Sequence, residues 1–124
     1  MSPNKQKILV AEDEKTLAKA LMLKLTKAGY DVTEAHDGEE ALALTAANTY
    51  DLILTDLVMP KMDGFHFITE YKKKGVHTPV IVLSNLGQDE DVKKAKELGA
   101  VDFFVKASTS LAKILELVES RLKS

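Results

Sequence analysis

Apolar runs of strand length alternate five times with segments of helical period, and no other feature narrows the fold so much. The runs are "KILVAED" (7–13), "YDVTEA" (30–35), "DLILTD" (51–56), "TPVIVLSN" (78–85) and "VDFFVKA" (101–107). After the first, Leu17, Leu21 and Leu25 recur every four residues and Gly29 supplies a stop. After the second, Asp37 is placed to cap a short helix marked by Ala41, Leu42, Leu44 and Thr45. Beyond the Pro60–Gly64 loop, "FHFITEYKKKG" reads as a helix that faces Phe65, Ile68 and Phe67 inward. "GQDEDVKKAKELGA" reads as a charged, exposed helix anchored by Val92, Ala95 and Leu98. The closing helix carries Leu111, Ile114, Leu115, Val118 and Leu122 on one face, with Ser108 or Thr109 as its cap. Strand-then-helix units joined by short connections predict a parallel sheet covered by helices on both faces. The second run is the most polar and belongs at a sheet edge. The unbroken apolar third and fourth runs belong inside.

Composition removes several classes of function. At 124 residues the chain fits one domain, expected over 1–124. Without cysteine there is no disulfide, no thiolate catalysis and no cysteine-bound zinc, and the chain suits a reducing cytoplasm. The apolar stretch 8–11 is too short for a signal peptide or membrane span, so no membrane is expected. A net charge of −2 leaves no electrostatic footprint for direct nucleic-acid binding. His36, His66 and His77 are too scattered to suggest a metal site or a base and read as surface or packing residues.

Doubly wound sheets bind ligands beyond the carboxyl ends of their strands, so the strand ends carry the functional information. The first run ends in Glu12 and Asp13, the third in Asp56, the fourth in Ser84 and the fifth in Lys106. Each alone has an ordinary explanation. Asp13 fits a helix cap as readily as a ligand, Ser84 a turn residue, and Lys106 a solvated surface lysine. Together they need another. Clustered carboxylates repel one another until a cation neutralises them, and hard oxygen ligands suit Mg²⁺. A lysine and a hydroxyl beside them match the needs of a phosphoryl group received on a carboxylate. The first turn, "AEDEKT", has no glycine and is acidic, which argues against a nucleotide- or flavin-phosphate cradle.

At these residues the chain resembles the response regulator receiver domains of two-component signalling, in particular the single-domain chemotaxis type. "LILTDLVMPKMDG" matches the family's strand, phosphoacceptor aspartate and Met-Pro-x-Met-Asp-Gly loop; "ILVAEDE", "VIVLSN" and "LGAVDFFVKA" supply three further anchors. The resemblance implies a flavodoxin-like three-layer α/β/α fold, with five helices and a five-stranded parallel sheet in order 2-1-3-4-5. It implies that Asp56 accepts phosphate from a histidine kinase or phosphotransfer protein. Asp13 and Asp56 would bind Mg²⁺ with the backbone carbonyl of Val58, and Glu12 would help through water. Ser84 and Lys106 would engage the phosphoryl oxygens, and Phe103 would be the aromatic switch position. The result is a signalling switch rather than an enzyme, assisting only its own phosphotransfer and slow autodephosphorylation. Its fourth-helix to fifth-helix surface would act on a downstream effector or fused output domain, and a homodimer on phosphorylation is compatible with it.

Where the family usually has proline after the lysine, often with a cis bond, this chain has Ala107. A cis bond before alanine costs about 3 kcal/mol, so a trans bond or a reshaped loop is expected. Val58 and Leu86 occupy positions that tune water access in the family, and neither side chain bonds water, which predicts a long-lived phosphorylated form. Two other readings compete: a Mg²⁺-dependent phosphohydrolase with an aspartyl-phosphate intermediate, and a non-phosphorylated pseudo-receiver. The first wants a second acid where Val58 stands; the second predicts loss of acidic or lysine positions that are all present.

Overall fold

Strands β1 (Lys7–Ala11), β3 (Leu52–Thr55) and β4 (Val80–Ser84) form the inside of a parallel sheet, and all but the first residue of β1 are buried. The computed structural model describes residues 5–122, so both ends of the expected 1–124 domain lie outside the described residues. β2 (Asp31–Ala35) and β5 (Ala100–Val105) take the edges, giving the order 2-1-3-4-5. All four pairings are parallel. The polar second run does lie at an edge, as its composition predicts.

Five helices complete the three layers: α1 (Lys15–Lys27), α2 (Gly38–Ala47), α3 (Gly64–Lys72), α4 (Asp89–Glu97) and α5 (Leu111–Leu122). The alternation of side chains along a strand divides the core in two. Ile8 and Val10 point to one face, where Leu21 and Leu25 of α1 and Ile114 and Val118 of α5 cover them. Leu9 and Ala11 point to the other, under Ala41 of α2, Phe67, Ile68 and Tyr71 of α3 and Ala95 of α4. This is the flavodoxin-like α/β/α arrangement.

Several local expectations shift. In α3 the inward pair is Phe67 and Ile68, both 0% exposed, while Phe65 is only partly buried and lies under the Lys94 ammonium. Only Ala95 of α4 is fully buried; Val92 and the C-cap Leu98 are partly buried. The cap of α5 is neither Ser108 nor Thr109. Ser108 is consumed in a 3₁₀ turn, Lys106–Ser108, and the Ser110 hydroxyl accepts from the Lys113 N–H at 3.1 Å. Asp13 does not cap α1, whose first turn follows Glu14 without a side-chain bond. Asp37 does cap α2, accepting from the Glu40 N–H at 2.7 Å. Gly29 ends α1 at φ 103°, a conformation natural only to glycine. In the last turn of α3 the Lys72 ammonium donates to the Thr78 carbonyl at 3.0 Å, and burial pushes it below the usual lysine range.

Candidate functional site

The site is built at the tip of β3. The Asp56 N–H donates to the Ala11 carbonyl at 2.9 Å, and the Thr55 hydroxyl donates to the Asp56 carbonyl at 2.8 Å. Gly64, the first residue of α3, lies against this backbone: a Cβ there would run into the Asp56 carbonyl oxygen. Its N–H donates to the Leu57 carbonyl at 2.8 Å, and the Asp63 carboxylate caps α3 through the His66 N–H at 2.8 Å. The Pro60–Gly64 loop thus turns at once into a helix seated on the Asp56 peptide.

The Asp56 carboxylate is 5% exposed and has a different partner on each oxygen. Oδ1 accepts from the N–H groups of Leu57 (2.6 Å) and Val58 (3.3 Å), and Oδ2 accepts from Lys106 Nζ at 2.6 Å. Lys106 also straddles Glu12, 2.8 Å from Oε1 and 2.9 Å from Oε2, with Glu14 at 3.8 Å. Glu12 is 2% exposed, and the Glu14 N–H donates to it at 3.0 Å. Burial holds the Glu12 carboxyl above its ordinary value, and the Lys106 and Glu14 hydrogen bonds offset this only in part. For Lys106, burial acts to lower the ammonium's pKa, but hydrogen bonds to Asp56 and Glu12 and their charges outweigh it and raise it.

Asp13 is exposed, and its carboxylate oxygen lies within 4.8 Å of those of Glu12 and Asp56. Three carboxylate oxygens at that spacing are a donor set suited to a hard divalent cation. A cavity of about 370 Å³ opens over them, and its lining includes Asp13, Asp56, Ser84 and Lys106 with the exposed side chains of Val58 and Leu86. Ser84 is fully buried, and its hydroxyl oxygen accepts from the Leu86 N–H at 3.3 Å. The strand-end residues therefore meet in space. Glu12 belongs to the acidic cluster and pairs with Lys106 without lining the cavity, whereas Phe103 lies outside the site, partly buried against the core. His36, His66 and His77 are exposed and none lines it. Two lining residues go beyond the strand-end reasoning, Glu14 and Asn85. Their one sequence signal is adjacency, to Asp13 and to Ser84.

A family model described as the response regulator receiver domain matches residues 8–119. The chain belongs to this family. Receiver domains are signalling switches rather than classical enzymes. The probable transcriptional regulator ycf27 of Cyanophora paradoxa is 41% identical over 86% of this chain, and the transcriptional regulatory protein DltR of Streptococcus agalactiae 36% over 81%. The chain spans less than half the length of these relatives, 44% and 45%. Among solved structures, the receiver domain of the Francisella response regulator 1452 superposes with a TM-score of 0.88 at 35% identity, covering 94% of this chain and 96% of that one. The Vibrio cholerae chemotaxis protein CheY4 gives 0.89 at 29% identity, covering 96% of this chain and 100% of its own. Among the described residues of this receiver domain, no helix is long and apolar enough to cross a membrane.

Proposed function

We propose that residues 1–124 form one phosphoacceptor receiver domain in which Asp56 takes a phosphoryl group from the phosphohistidine of a histidine kinase or phosphotransfer protein. The observation that carries this reading is the Asp56 carboxylate itself, seated on a backbone post and bridged by Lys106 beneath an open cavity. In the transfer, the phosphohistidine P–N bond breaks, an Asp56 O–P bond forms, and the imidazole nitrogen leaves with the electron pair. Asp56 needs no activating base, because its Oδ2 accepts from the Lys106 ammonium and so carries no proton to be removed. Mg²⁺, held by Asp13, Asp56 and the Val58 carbonyl with Glu12 assisting through water, would neutralise charge on the phosphoryl oxygens. Lys106 reaches Asp56 Oδ2 already and pairs with the new phosphoryl charge. Ser84 supplies a hydroxyl donor from the next strand tip.

The added charge draws Ser84 toward it and lets Phe103 turn inward, which carries the change to the α4–β5–α5 face. The names of the relatives support an output on transcription, through a fused domain or a separate partner. The absence of cysteine supports a cytoplasmic setting. Val58 is 57% exposed and apolar at the cavity, so it offers a leaving group no proton, and this disfavours the hydrolase. The same apolar side chain, with Leu86, supports a long-lived phosphorylated form.

Incubation with Mg²⁺ and a small phosphodonor, followed by mass spectrometry, tests the proposal. One phosphoryl group on Asp56, lost in Asp56→Ala, is expected. Sustained turnover of phosphomonoesters would instead point to the hydrolase, and no uptake at all to a pseudo-receiver.

A further inference from the structure

We propose that Asn85 is a positioning residue for Lys106, acting through the backbone N–H of Ala107; the proposal rests on the phosphoacceptor reading of Asp56. Asn85 directly follows Ser84 and lines the cavity over Asp56. Its side-chain oxygen accepts from the Ala107 N–H at 3.1 Å, across 22 residues of chain.

Among the described residues, no backbone–backbone bond joins the two loops at this point. The β4–β5 ladder ends at the pair Ser84 and Val105. One step beyond, the chain leaves the sheet and turns through Lys106–Ser108, a 3₁₀ turn without a side-chain cap. The bonds from Thr109 to the Lys106 and Val105 carbonyls shape that turn from within. Asn85 instead ties it to the neighbouring strand tip.

The residue tied down is the immediate successor of Lys106. The lysine stem is long and flexible, and its ammonium must stay 2.6 Å from Asp56 and 2.8 Å from Glu12 at once. Fixing the backbone at 107 removes conformations in which the ammonium misses one of them. Proline has no N–H, so a chain with proline at 107 could not make this bond. Ala107 and Asn85 thus form a matched pair, and the pair accounts for Ala107 structurally: it provides the donor.

The test measures initial rates of phosphoryl uptake from acetyl phosphate with Mg²⁺ in wild type, Asn85→Ala, Lys106→Ala and the double variant. Hydrogen exchange of the Ala107 amide is followed by NMR in wild type, Asn85→Ala and Asn85→Asp. Loss of one hydrogen bond predicts uptake slower by about three- to tenfold in Asn85→Ala. No further loss is expected when Asn85→Ala is added to Lys106→Ala, because the lysine it positions is gone. The Ala107 amide should exchange faster in Asn85→Ala and at the wild-type rate in Asn85→Asp, which keeps the acceptor. An Asn85→Ala rate equal to wild type overturns the inference, as does an equal factor in both lysine backgrounds or an unchanged amide. In all three cases the wild type still labels Asp56, so the phosphoacceptor reading survives. A wild type that takes up nothing removes that reading and the inference with it.

Discussion

Two strand tips meet at the site, and they are held by different means. At the end of β3, Asp56 is fixed by its own peptide: a bond to Ala11, a hydroxyl on its carbonyl, and Gly64 pressed against it. At the end of β5, Lys106 follows an edge strand into an uncapped 3₁₀ turn, and its ammonium is held on Asp56 and Glu12. Asp56 is a post and Lys106 an arm. On the proposed reading of Asp56 as phosphoacceptor, a switch needs this division, because the reacting atom must not move while the groups around it respond to new charge.

The largest effect should come from disturbing the post. Gly64→Ala forces a methyl group into the Asp56 carbonyl, which the buried strand cannot yield to. A destabilisation of about 3 kcal/mol is expected, read as a lowered urea midpoint with an unchanged slope. A midpoint near that of wild type would mean that the β3 tip is as adjustable as the β5 tip.

Removing the arm should matter less and be recoverable. Lys106→Ala leaves Glu12 buried beside Asp56 without its cation. In metal-free protein at neutral pH we expect a loss of about 2 kcal/mol, below the usual range for a fully buried pair because the ammonium is not wholly enclosed. Adding Glu12→Gln should restore most of it, and a double-mutant cycle by urea unfolding measures the coupling. Additive effects would show that Lys106 is not held by Glu12 in solution.

How far the site could be read from sequence follows the same division. The post was legible: an apolar run ending in an acid, then a Pro-Gly loop, fixes β3, its tip and the start of α3 within thirteen consecutive residues, 52–64. The caps of α2 and α3 are local four-residue patterns, and Asp37 is legible that way. The arm was legible only as a lysine after a strand. Its grip on Glu12 spans 94 residues, and no local pattern records it. The misplaced cap of α5 has the same origin. Three candidate hydroxyls crowd 108–110, and the 3₁₀ turn that uses up the first follows from where Lys106 must reach. Phe65 and Phe67 both suit a helix interior, and only the angle at which Gly64 launches α3 decides for Phe67.

Alkaline pH tests the arm without mutating it. The pKa of Lys106 in the folded protein lies above the ordinary 10.5, so its pairing contributes fully below 10.5 and is lost as pH rises through the raised value. Unfolding free energies measured at increasing pH should therefore fall more steeply for wild type than for Asp56→Asn or Glu12→Gln, each of which removes one cause of the raised value. Parallel curves would show that the other lysines account for the whole alkaline loss.

The smallest effect on stability should come from Val58, which belongs to the post but points its side chain into the opening. At 57% exposure it contributes little to packing, so Val58→Asn should change unfolding by less than about 0.5 kcal/mol. On the phosphoacceptor reading of Asp56, its effect belongs to the lifetime of the phosphorylated state. Attack on phospho-Asp56 needs a water aligned opposite the aspartyl oxygen, and an apolar side chain at the cavity mouth gives that water no partner. An amide there can accept its proton and donate to it, so decay in Mg²⁺ should quicken several-fold while uptake from a phosphodonor stays near wild type. The split matters more than the size. Faster decay with equal uptake places Val58 over the path of water alone, whereas equal changes in both would mean that it screens the phosphodonor as well, and the post would then gate both directions of the reaction.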